Sequence, residues 1–115
     1  MTRPWDAIIG QELSAVCFIR DYMRFEFDPP PMIDVFSKIC VVTPKGSAEQ
    51  CDGDFANMVI GLIGSVVSAV DVEADEQLRI GLSNGTWILI SLRPADYSAE
   101  AVVMHGFEGG TVVFN

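Results

Sequence analysis

The chain has one histidine, three cysteines and seven basic residues in 115. Each scarcity excludes something. One histidine, His105, cannot make a multi-histidine metal site, and any histidine-based triad would have to rest on it alone. His105 lies in an apolar stretch beside a turn, where a structural role is the default reading. Cys17, Cys40 and Cys51 are odd in number and widely spaced, which argues against a disulfide framework and against a zinc cluster. They read as buried or half-buried thiols in a reducing compartment. Only Cys51, in the polar run "EQCDGD", is a candidate for reactivity. No G-x-G-x-x-G and no G-K-S/T sequence is present, so no phosphate loop is written here. The longest apolar stretch, Met58 to Val70, is too short to span a bilayer and is interrupted by Gly61 and Gly64. The opening "MTRPWDAIIG" lacks a basic region followed by an apolar one, so no signal peptide is expected.

The shortage of bases has the widest consequence. Sixteen acids against seven bases leave a formal charge of −9. A nucleic-acid binder normally carries the opposite sign, and an anionic membrane surface would repel this chain. Half of the residues are hydrophobic, which argues against disorder. The length suits one domain, 1–115, with a core that needs neither disulfide nor metal. The expectation is a cytoplasmic, non-catalytic protein without a cofactor.

What the sequence does contain is a doubled phrase. "IIGQELSAV" at 8–16 returns as "LIGSVVSAV" at 62–70. Ile9/Ile63, Gly10/Gly64, Ser14/Ser68, Ala15/Ala69 and Val16/Val70 are identical pairs. Before each glycine the apolar residues recur at helical spacing, with Trp5 falling on Val59 and Ile8 on Leu62. Glycine there suits a helix C-terminus, because it takes a left-handed backbone without steric cost. Pro4 suits an early helical position and Thr2 could cap it. In the second copy Asp52 or Asp54 could cap a longer helix, "FANMVIGLI", with Phe55, Val59, Leu62 and Ile63 on one face.

After each glycine the period changes to two, as in a half-buried strand. "LSAVCFIRD" sets Leu13, Ala15, Cys17 and Ile19 against Ser14, Val16, Phe18 and Arg20. "YMRFEFD" and "EQLRIGLSNG" alternate likewise. "DPPP" at 28–31 and "SNG" at 83–85 are the turns, and "MIDVFSKICVV" and "TWILISL" are the third strands. The segment "TPKGSAEQCDGD", 43–54, reads as a surface loop. Two readings compete after 93: Pro94 to Met104 as a helix, or "AVVMH" and "TVVFN" as a hairpin around "GFEGG", which the paired valines favour, and a short helical turn near 96–100 fits either. The expected fold is therefore α+β and β-rich: two helix-plus-antiparallel-meander repeats, about 3–43 and 54–93, packed as one sandwich- or barrel-like domain with a C-terminal hairpin at 94–115. One unit alone would leave an apolar sheet face bare, and two can cover each other.

The acids gather in three places. The first is Glu49 to Asp54, of which Asp52 and Asp54 precede the second helix, where the dipole favours them. Their Asp-Gly-Asp order, followed by helical apolars, does not match a calcium loop. Asp71 and Glu73 share one face of a strand, with Asp75 and Glu76 in its turn. Asp21, Glu26, Asp28 and Asp34 form the third group. Taken singly, such acids are solvated turns and guarded edges. Taken together, like charges cost stability that a partner rich in Lys and Arg would recover. Tyr22, Trp87 and Tyr97 lie near the acids and are candidate interface anchors, although Trp87 also reads as core at the start of its strand.

In size, acidity and lack of a catalytic motif, the chain resembles small bacterial immunity proteins, including those of contact-dependent growth inhibition systems. It is also similar to small bacterial domains that open with "W-x-x-I/L-I-G", here Trp5 to Gly10, and carry a second "L-I-G", here Leu62 to Gly64. The first resemblance implies binding: an acidic face covers the basic active site of a toxin, a nuclease domain being the fitting class. The residues expected to carry it are Asp71, Glu73, Asp75, Glu76, Asp21, Glu26, Asp28, Tyr22, Asp52 and Asp54. The alternative is a small-ligand or scaffold domain with a pocket between two sheets.

Overall fold

In the computed structural model, residues 4–28, 30–107 and 110–114 are described. A five-residue 3-10 turn, Pro4–Ile8, leads into β1 (Glu12–Ile19), β2 (Tyr22–Asp28) and β3 (Met32–Val35). The chain then crosses to β4 (Ile39–Thr43) and β5 (Gly46–Glu49). A six-residue helix, α1 (Phe55–Ile60), precedes β6 (Val67–Glu73), β7 (Gln77–Leu82) and β8 (Trp87–Ser91). A 3-10 turn at Pro94–Asp96 then leads to β9 (Val102–Phe107) and β10 (Gly110–Phe114).

These strands make two five-stranded antiparallel sheets, ordered β1-β2-β3-β9-β10 and β5-β4-β8-β7-β6. Residues alternate in and out along the central strands. Met23, Phe25 and Phe27 of β2 are buried, as are Leu78, Ile80 and Leu82 of β7. The inward residues of both sheets join a single core cluster. A fully buried Ile or Phe is worth about 1.5–3 kcal/mol over the exposed side chain, and this cluster is the main favourable term.

The doubled phrase pairs with itself. Gly10 N donates to Val67 O at 2.8 Å, and Gly64 N donates to Leu13 O at 2.8 Å. Val67 N donates to Gln11 O at 2.9 Å, and Leu13 N to Ser65 O at 2.8 Å. Each bond is the image of another under exchange of the two copies, and Glu12 bridges Val66 between them. Both glycines have left-handed backbones, φ +87° and +98°, as their place before a strand predicts. Ser14 and Ser68 also match. The register slips between Leu13 and Ala15 in one strand and between Val67 and Ala69 in the other. In each bulge the serine hydroxyl donates to a carbonyl of the neighbouring strand, Glu26 O at 3.0 Å and Gly81 O at 3.2 Å.

Several expectations are overturned. The fold is not α+β built from two helix-plus-meander repeats. About half of the chain is strand, and the one α-helix among the described residues has six residues. The stretch before Gly10 is a 3-10 turn, and "FANMVIGLI" stops being helical at Ile60, so Ile63 is exposed and not on the buried face. Short apolar runs fix which residues are buried more firmly than they fix helix length, because packing overrides weak propensity. "MIDVFSKICVV" is two strands. It breaks at Phe36–Lys38, and β3 and β4 lie in different sheets. The meanders β1-β2-β3 and β6-β7-β8 both form, but each sheet is extended by strands from outside its meander, β9 onto β3 and β4–β5 onto β8. The 43–54 segment contains β5, although it was expected to be wholly loop. Asp54 sits at the N-cap without a side-chain capping bond, and Asp52 instead accepts from Glu49 N at 2.8 Å. Strict alternation in β1 fails at the bulge, which turns Val16 and not Ala15 toward the core. The hairpin of β9 and β10 is as expected. The Thr2 cap, Pro29 of the "DPPP" turn, and Glu108 and Gly109 of "GFEGG" lie outside the described residues.

A Cβ added at Gly10 or Gly64 would meet nothing within 4 Å, so substitution there costs backbone strain alone. Gly10→Ala and Gly64→Ala are each expected to lose about 1–2 kcal/mol in urea unfolding, with no change in the denaturant slope.

Candidate functional site

The outer face of the first sheet is closed by an ionic cluster. Arg24 on β2 stands opposite Asp34 on β3, and Asp34 lies beside β9. The Arg24 guanidinium donates twice to Asp34, at 2.7 and 3.1 Å, and His105 Nε2 lies 2.8 Å from the same carboxylate. Asp34 is only 8% exposed. Burial works to raise its carboxyl pKa, but the hydrogen bonds from Arg24 and His105 outweigh burial and hold it below the ordinary value. The structural reading of His105 fits this placement. Asp34 is fully engaged, so it leaves the group of acids that could meet a partner. Beside the cluster, the Cys17 thiol donates to Glu26 at 3.6 Å. Tyr22 stacks at a tilt on Phe36, ring centres 4.9 Å apart, so Tyr22 is held within the sheet surface.

The outer face of the second sheet is built differently. Asp71 and Glu73 share it, as their alternate positions in β6 predict. Arg79 of β7 makes an ion pair with Asp71, and its other nitrogen is 3.9 Å from Glu73. Next along β7 comes Gly81, directly opposite Trp87 of β8. A Cβ on Gly81 would come within 2.9 Å of two atoms of the Trp87 benzo ring, so the ring rests on glycine backbone that no larger residue could provide. Trp87 remains 38% exposed and is not a core residue. It lines a shallow groove of about 490 Å³ with Val42, Leu89, Gln77, Arg79 and Asp71.

Leu89 and Gln77 also line a second groove, of about 510 Å³, toward the end of the sandwich. Glu49, Glu76 and both Cys40 and Cys51 border it. Glu76 pairs with Arg93 at 3.1 Å, and Asp75 occupies the β6–β7 turn with a left-handed backbone, φ 62°. Lys38, Gln50 and Asp96 separate this groove from a third one beside Asp21 and Tyr22. There Asp96 accepts from the Ser91 hydroxyl at 2.5 Å and lies 3.3 Å from Lys38. The Ser91 bond first, then Lys38, hold its carboxyl below the ordinary value against the cost of desolvation.

The acids thus divide. Asp71, Glu73, Asp75 and Glu76 lie on one face and its adjoining turn, with Glu49 across the groove. Asp21 and Tyr22 border the third groove, on the far side of the Lys38–Asp96 partition. Glu26 and Asp28 belong to the first sheet, and exposed Asp52 and Asp54 precede α1. The sequence groups Glu49 with Asp52 and Asp54 but does not single it out for binding, it places Trp87 ambiguously, and no local signal could show that Gly81 lies beneath its ring. Among the described residues no cluster of three His, Cys, Asp or Glu side chains is placed to hold a metal, and no helix is long and apolar enough to cross a membrane. Burial, reinforced by nearby acids, pushes the Cys40 and Cys17 thiols up, which makes them poor nucleophiles. The arrangement offers carboxylates, an aromatic face and an apolar floor: the parts of a binding surface.

Replacing Asp34 by Asn is expected to cost about 2 kcal/mol at neutral pH, the scale of a hydrogen bond to a charged group. A depressed carboxyl stabilises the fold above its unfolded-state value, near about 4, and that contribution is lost as pH falls through the lower folded-state value. Urea unfolding at a series of pH values should therefore show the gap between parent and variant closing in acid. Mass spectrometry of iodoacetamide-treated protein should find exposed Cys51 alkylated first, with Cys17 and Cys40 lagging. Compared with protein families, with curated proteins and with solved structures, the chain matches none of them.

Proposed function

We propose that this is a non-catalytic protein of the immunity type, which neutralises a basic toxin by covering it with an acidic surface. A nuclease domain is the fitting class of toxin, because its own substrate is a polyanion and its active face is correspondingly basic. One observation carries the reading. Glu49 and Glu76 border one groove, Asp71 borders the groove that shares Leu89 and Gln77 with it, and Glu73 and Asp75 are exposed on the adjoining strand and turn. Charge at the rim would steer a basic partner and speed encounter, and the floor would supply desolvated contact. The net charge of −9 extends that steering beyond the local face.

The test is rescue. The C-terminal segment of the protein encoded immediately upstream is expressed alone and with this chain, and viable cells are counted. Toxicity abolished by this chain is the expected outcome, and toxicity without rescue would end the proposal. With the purified pair, association should slow by roughly tenfold or more from low to high salt. Reversing Glu73, Asp75 and Glu76 to Lys should abolish rescue, and unaltered rescue would show that the wrong surface was chosen.

A further inference from the structure

We infer that Trp87 is the anchor of this surface and that it takes an arginine side chain of the basic partner. The inference rests on the reading above and names the contact within it.

The first argument is comparison within the molecule. The two sheets have equivalent strand orders, and their bulges match Glu26 with Gly81, since these residues pair with Ala15 and Ala69. The cross-strand pair in the first sheet is Glu26–Met32, and in the second it is Gly81–Trp87. The fold therefore needs neither a glycine nor a tryptophan at this place. In the second sheet the two occur together, and the glycine is what lets the indole lie down on the sheet: any side chain at 81 would collide with the ring at 2.9 Å. More than a third of Trp87 stays exposed, so the seat presents an aromatic surface to solvent instead of burying it.

The second argument is charge. Arg79, which lines the groove with the indole, is ion-paired with Asp71 and approached by Glu73. Glu73 is reached by Arg79 only at 3.9 Å and its side chain stays largely exposed, so it keeps a negative charge at the platform's border. Along the groove past Leu89 and Gln77, Glu76 is paired with Arg93 and Asp96 with Lys38, and exposed Glu49 adds a further carboxylate. An indole face attracts a cation, and carboxylates beside it select one over an apolar side chain. A planar guanidinium is favoured over an ammonium because it stacks on the ring and can still direct N–H groups at a carboxylate in its own plane.

The probe is acetyl-tetraarginine-amide, added to the intact protein and followed by the NMR signals of the Trp87 indole. Acetyl-tetralysine-amide and acetyl-(Gly-Ser)2-amide at matched ionic strength are the controls. Saturable shifts at Trp87 with the arginine peptide, weaker ones with lysine and none with the neutral peptide are expected. No shift at Trp87, or equal shifts with all three, would overturn the inference. Trp87→Leu keeps an apolar cover over Gly81 and removes the aromatic face, and Gly81→Ala drives the ring from its seat. Each should weaken the arginine peptide about tenfold with the unfolding midpoint of Trp87→Leu near that of the parent. Parent-like binding by Trp87→Leu would equally overturn the inference. None of these measurements uses the toxin. Failed rescue with intact peptide binding removes the immunity reading and leaves the platform, whereas intact rescue with an indifferent Trp87 does the reverse.

Discussion

The fold depends on a short backbone ladder in which one phrase of sequence meets its own copy. Gly10 and Gly64 each donate to the opposite strand, and Gln11, Leu13, Ser65 and Val67 complete the exchange. This ladder joins β1 at the edge of one sheet to β6 at the edge of the other. It satisfies polar groups that two free edges would leave open, both to water and to unwanted pairing. The left-handed glycines make it possible, because each reverses the chain in the turn between a helical or 3-10 segment and the paired strand. The serine-capped bulges beside them twist both strands in the same manner, so the sheets curve toward each other and share one core.

That frame is symmetric in its backbone and asymmetric in its outer faces. Arg24 and Arg79 occupy corresponding places on β2 and β7, yet they are neutralised from opposite sides. Asp34 reaches Arg24 from β3, and Asp71 reaches Arg79 from β6. In the first sheet His105 joins the pair and the face is sealed by its own charges. In the second, the neighbouring position is glycine under tryptophan, and the face stays open with acids at its rim. A core constrains inward residues tightly, whereas outward residues can diverge at little cost to folding. Binding chemistry is therefore free to differ between the faces.

Part of the candidate site was legible in the residues. The period of two put Asp71 and Glu73 on one face and set Trp87 opposite Ile88 and Ile90, and the run after Glu73 had to turn. Glu49 stands out as an acid, but the strand that carries it lies in a segment too polar to read as one, because β5 is a short edge whose only buried residue is Ala48. The bond between Asp34 and His105 joins residues 71 apart, and nothing local to either announces the other. The seat of Trp87 on Gly81 depends on the register between β7 and β8, which the "SNG" turn suggests and only pairing fixes.

By itself the sequence determined the doubling, the glycine exits, most of the buried positions, the net charge and the absence of familiar catalytic motifs. These follow from local backbone sterics, from periodicity and from composition, which need no knowledge of distant partners. The tertiary structure decided helix length, the break between β3 and β4, the pairing of each hairpin with the other half, and which acids stay exposed. The reason is physical. A short helix, a strand edge or a lone carboxylate is marginal in isolation, and its state is set by whatever packs or pairs against it from elsewhere in the chain.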